Sequence, residues 1–287
     1  MALRIRRVTH ELLAITFINH LIVAAGCGRR PVDVERWGEA FEADTLGITR
    51  DEPNGKWKRF LLGVLPSEPL RGALVRAFPI LAEVLGNPLW SVLRLLKDGS
   101  ARRETLVEQL RLDGRPLQRR HLKRLQRRVS NADWRDLVFL LVILASRSPS
   151  YLYAREFVQE RFVAFVLLLC VQTEFADAEE RLYQVLDHHF RAGHLAHVKG
   201  WRASASEFMR DVERLHGVPR RLMQLAHIDV PPEEVCFAFV CADTEGFGWL
   251  QAGYGFYWDA EWRRRSLSRK EKQVMYPPIV MHIEGIQ

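Results

Sequence analysis

Two uninterrupted apolar runs, Leu137 to Ala145 and Phe162 to Val171, constrain the fold of this chain more than any other feature. Each is about ten residues long and is bounded by charges such as Asp136, Arg147 and Arg161. A helix needs ~20 apolar residues to cross a bilayer, so neither run has that length. Apolar on every side, they read as helices buried at the centre of a helical body.

Helical periodicity continues around them up to about residue 230. It predicts helices at 12–25, 31–41, 57–64, 70–85, 88–96, 101–112, 117–129, 133–146 and 153–174. Two more are predicted from Asp177 to near Gly193 and from Ser204 to near Gly217. Pro31 suits a first turn, Pro79 must kink or divide its helix, and Ser204 with Glu207 forms a capping box. From Pro231-Pro232 the character changes. Val235 to Cys241, Trp249 to Trp258 and Pro278 to Ile283 are rich in β-branched and aromatic residues. The expected fold is therefore mainly α: a multi-helix globular body over 1–230, with a basic helical hairpin at 101–129, and a small strand-containing segment over 231–287.

The N-terminus carries a second reading. Arg4, Arg6 and Arg7 precede an apolar stretch ending Val23-Ala24-Ala25-Gly26-Cys27, which resembles a lipoprotein signal ending in a lipidated cysteine. Glu11, Asn19 and His20 interrupt the stretch, and Ala24 stands where a larger aliphatic residue is usual. These residues favour a core helix capped by Gly26, and with it an unlipidated, cytoplasmic chain with no membrane span. The four cysteines, Cys27, Cys170, Cys236 and Cys241, form no CxxC, which speaks for reduced thiols rather than a zinc ribbon or a disulfide scaffold.

Charge is concentrated. Net charge is +7 over 287 residues, and residues 101–128 alone hold ten Lys or Arg against three acids. Residues 263–272 hold six against one, so the remainder is slightly acidic. On a helical wheel Leu122, Leu125 and Val129 fall within about 60°. Arg119, Arg120, Lys123, Arg124, Arg127 and Arg128 fill the opposite half with no acid interleaved. Like charges on one face repel, and a strand of phosphates relieves that repulsion while releasing counterions.

Thr105 to Leu112 followed by Arg119 to Leu125 resembles the two helices of a helix-turn-helix DNA-binding unit. The resemblance implies that Gln118, Arg119 and Lys123 lie near bases or phosphates, with Arg115 in the turn. It covers about 25 residues. The turn Asp113-Gly114-Arg115-Pro116 is a residue longer than that family's, Arg111 stands where glycine is common, and no wing follows. Arg263, Arg264 and Arg265 form a second basic patch beside Trp249, Tyr254, Phe256, Tyr257, Trp258 and Trp262, where bases could stack or a small β core could form.

Chemistry is thinly marked. GxSxG, P-loop, GxGxxG and HExxH patterns are absent, and Asp243 with Glu245 sits in a turn. Asp187-His188-His189 resembles a motif of DHH-type phosphoesterases, with His194 and His197 close behind, but no further aspartate motifs accompany it. The alternative is a helix C-terminus carrying solvated histidines. No catalytic residue, metal ligand or cofactor is assigned. The leading expectation is a nucleic-acid-binding protein or nucleoprotein subunit without chemistry of its own. A protein-interaction module (inhibitor, immunity or assembly factor) meeting an acidic partner comes second, and a metal-dependent hydrolase using the 187–197 histidines third.

Overall fold

The computed structural model describes residues 2–49, 55–96, 111–112, 115–116, 125 and 132–226. The expected C-terminal segment 231–287 lies outside them. The described part is mainly helical. Helices α1 (Ala2–Ala25), α2 (Pro31–Leu46), α3 (Lys56–Leu61), α4 (Glu68–Ala77), α5 (Ile80–Gly86) and α6 (Leu89–Leu95) come first. After a two-residue antiparallel ladder, β1 (Arg111–Leu112) with β2 (Arg115–Pro116), come α7 (Trp134–Ala145), α8 (Leu152–Cys170), α9 (Glu179–Arg191) and α10 (Ala205–Ala226).

The two apolar runs become α7 and α8, which pack against each other. Every residue from Phe139 to Ala145 and from Phe162 to Cys170 is buried, as helices apolar all round require. Each fully buried Leu or Phe there contributes about 2 kcal/mol. α1 lies against α9, α5 and α3, and α10 closes over α8 and α9.

α1 begins ten residues before the expected start, because Ile5 to Glu11 extends the periodicity, with Arg6, Arg7 and His10 exposed and Val8 buried. Its Ile5–Ala25 part has the length and hydropathy of a membrane-crossing helix, yet 67% of the most apolar window is buried within the fold. The polar interruptions are partnered. Thr16 Oγ1 donates to the Leu12 carbonyl, and His20 Nδ1 lies 2.8 Å from the Thr16 carbonyl. Asn19 Nδ2 donates to the carbonyls of Glu174 and Ala176, at 3.2 and 2.7 Å. Asn19 thereby pins the 3-10 turn Thr173–Phe175 onto α1.

Other boundaries follow local chemistry. Pro79 divides the expected 70–85 helix into α4 and α5. Asp133 caps α7 by accepting from the Arg135 amide. Ser204 Oγ accepts from the Glu207 amide at 3.3 Å, and Glu207 reaches back to the Ala203 amide. α10 then runs on to Ala226 through Gly217 and Pro219, carried by the strong helix formers Arg220 to Leu225. Asp177 does not cap α9 as expected. It takes a left-handed backbone (φ 63°), and its carboxylate pairs with Arg29 instead.

α2 runs five residues beyond expectation and ends at Gly47, whose φ of 66° closes bonds to Ala43 and from Ile48 to Glu42. Open space surrounds the missing Cβ there. Gly47→Ala should therefore cost about 1 kcal/mol from backbone strain alone. The midpoint of urea unfolding measures it, and an unchanged midpoint contradicts the left-handed cap.

Candidate functional site

The basic segment joins α6 to α7 along the chain, and these two helices pack together. Both anchors are firm. Leu96 is fully buried, and so, nearly, are Ala132 and Trp134. The Ala132 carbonyl accepts from Gln172 Nε2 at 2.8 Å, and Arg135 forms a two-pronged ion pair with Glu83 while covering the Trp134 ring. That pairing raises the Arg135 guanidinium pKa and holds the Glu83 carboxyl below its usual range.

Two points within the segment are described. Arg111 pairs with Pro116 and Leu112 with Arg115 across residues 113 and 114. The expected 101–112 helix therefore does not include Arg111 and Leu112, whose backbones are extended; Gly114 and Pro116 favour this tight reversal over another helical turn. Leu125 is helical and fully buried, joined to the main core. Leu125 is thus inward as expected, while Leu122 and Val129, the other members of the expected stripe, lie outside the described residues. Arg115 is described only as backbone in β2. Gln118, Arg119, Arg120, Lys123, Arg124, Arg127 and Arg128 lie outside the described residues, as do Arg263, Arg264, Arg265, Asp243, Glu245, Cys236 and Cys241.

The histidine cluster is fully described, and it differs from the expectation. Asp187-His188-His189 stands in the last turns of α9. Gly193, with φ of 66°, reverses the chain and brings His194 back against the helix. The rings of His188, His189 and His194 have centroids 5.3 to 6.2 Å apart. His189 Nδ1 and His194 Nδ1 are hydrogen-bonded at 3.1 Å.

His189 is not solvated: it is 2% exposed, and its Nε2 is buried without a well-formed hydrogen bond. Burial first, then His194 and His188, push its pKa down to about 4 against a smaller opposing effect from the Leu93 carbonyl. His197, which the sequence placed with His194, is exposed, and its carbonyl accepts from Gln159. Asp187 is engaged by Trp201 Nε1 and Arg191. Among the described residues no group of three or more His, Cys, Asp or Glu is arranged to hold a metal ion.

The described thiols are not poised as nucleophiles. Cys170 is fully buried and Cys27 half-buried, and burial raises both thiol pKa values. The sequence missed the His189–His194 pair because residues five apart do not share a helical face; the signal for it was Gly193, a reversal point just past a helix end. Compared with known proteins, the chain matches no described family, no curated sequence and no solved structure.

Proposed function

We propose that this chain is a nucleic-acid-binding protein or nucleoprotein subunit that contacts phosphates through the 101–128 segment. It performs no chemistry of its own in this reading. The observation that carries it is charge placement: the segment's excess of seven positive charges equals that of the whole chain. Burial of Leu125 supports the orientation, since a helix with that edge inward turns Arg120, Arg124 and Arg127 outward. Firm attachment at Leu96 and Trp134 gives such a face a rigid base. Arginine on a rigid helix reaches successive phosphates, and each neutralised phosphate adds ~0.7 to 0.9 to the slope of log affinity against log salt.

Fluorescence anisotropy with short DNA and RNA duplexes and single strands, over a salt series, tests the reading. Binding should weaken steeply with salt. Replacing Arg120, Arg124 and Arg127 together with Gln should lower affinity and flatten the slope by ~2 to 3, with the circular dichroism unchanged. Salt-insensitive or absent binding to every probe at low ionic strength refutes it. Loss of an acidic protein partner in the triple variant, with nucleic-acid binding absent from wild type, replaces it with the interaction-module reading.

A further inference from the structure

Residues 194–203 form a strap across four helices. The His194 amide donates to the His189 carbonyl at 3.0 Å, at the end of α9. The Ala196 amide donates to the Leu144 carbonyl of α7 at 2.9 Å. On α8, the Lys199 amide donates to the Gln159 carbonyl and Gln159 Nε2 returns a bond to the His197 carbonyl. Trp201 stacks flat on Tyr183 of α9, with ring centroids 5.4 Å apart, and Tyr183 Oη donates to the Arg202 carbonyl. Arg202 pairs with Asp211 of α10. Leu195 and Val198 are buried beneath the strap.

The ring-to-ring bond between His189 and His194 stands where this strap starts. Two imidazoles joined through Nδ1 atoms need one proton between them, so one ring donates and the other accepts. A proton added to the accepting Nδ1 abolishes the acceptor and sets two N–H groups, one of them now on a cationic ring, against each other.

We propose that His189 and His194 form a proton-operated latch: with a single proton between their Nδ1 atoms they hold the strap on α7, α8 and α9, and uptake of one further proton, so that both Nδ1 atoms carry hydrogen, releases it. The groups that act on His189 leave little compensation for added charge. They are His194 of the strap and His188 of its own helix, both of which oppose a proton on it, and the Leu93 carbonyl from α6, which favours one. With the strap open, His189 meets water and regains the ordinary histidine value of 6.5, whereas in the closed fold it titrates at about 4. The open form then binds the extra proton. Closure is at full strength above pH 6.5 and is lost as pH falls toward 4, with strap opening rising by about tenfold per pH unit in that window.

Hydrogen exchange of the full chain, corrected for intrinsic rates, tests this at the Ala196 and Lys199 amides. Their protection should fall about tenfold per pH unit between pH 6.5 and 4, while core amides of α7 such as Leu141 stay protected. His189→Asn keeps a hydrogen-bonding group beside His194 that does not titrate, and should remove most of this pH dependence. Constant protection in wild type across the window overturns the latch, as does an unchanged pH dependence in His189→Asn. If that variant does not fold, the wild-type imidazole signals decide. A His189 titration near 4 that the strap amides follow supports the latch, and a titration near 6.5, or strap amides that do not follow it, overturns it.

Discussion

Gly38→Ala should destabilise the protein by about 3 kcal/mol, although alanine in place of glycine ordinarily stabilises a helix interior by up to ~1 kcal/mol. Gly38 lies on the buried side of α2, directly against the Trp57 indole of α3. A Cβ at position 38 would stand 1.9 Å from Trp57 Cε2, deep inside contact distance. The indole cannot retreat. It is fully buried, held edge-on by Trp37 and Phe60, and its Nε1 donates to Glu42 at 2.8 Å. Glu42 is in turn buried and paired with Lys56. Relief must come from displacement of α2 against α3, and with it the Glu42 bonds. Urea unfolding followed by circular dichroism reads the shift. A variant as stable as the parent shows that α2 and α3 do not approach this closely. Strong non-additivity with Trp57→Leu would locate the clash in this pair.

Asn19→Leu should cost a comparable amount, about 3 kcal/mol, despite matching the apolar character of α1 and its helix propensity. The cost comes from two carbonyls, those of Glu174 and Ala176, which lose their donor in a part-buried site. Arg29 also loses the Asn19 side-chain oxygen it now bonds at 3.1 Å. The loss should be largely local, with amides between Gln172 and Ala178 exchanging faster than those of α8. Unchanged stability and exchange would mean that α1 and the 3-10 turn are held by packing alone.

These two sites mark where sequence legibility ended. The apolar runs of α7 and α8 announce buried helices because nothing else accommodates ten consecutive apolar residues between charges. Pro79 divides its helix by covalent geometry, and Ser204 with Glu207 is a local signal read locally. Gly38, by contrast, sits mid-helix with no turn around it, and only the arrival of Trp57 from another helix explains it. Asn19 resembles a flaw in an apolar stretch until the carbonyls it serves, some 155 residues away, are in place. The same holds for Asp177: its capping role was inferred from its neighbours, but Arg29 from a distant turn claims its carboxylate. The His189–His194 pair is intermediate, since a glycine reversal at a helix end implies proximity without specifying which rings meet.

The packing of α6 against α7 has a polymer consequence. The helices that flank the chain from Leu96 to Ala132 pack together, so its ends are already joined by the rest of the fold. Closing such a loop costs an entropy that grows only with the logarithm of its length, about 0.6 kcal/mol for each doubling. Insertions or deletions between these anchors are therefore thermodynamically cheap so long as Leu125 keeps its seat in the core. The contact between α6 and α7 thus fixes the distance that the connecting chain must close, so the length of that chain bears only weakly on the stability of the helical body.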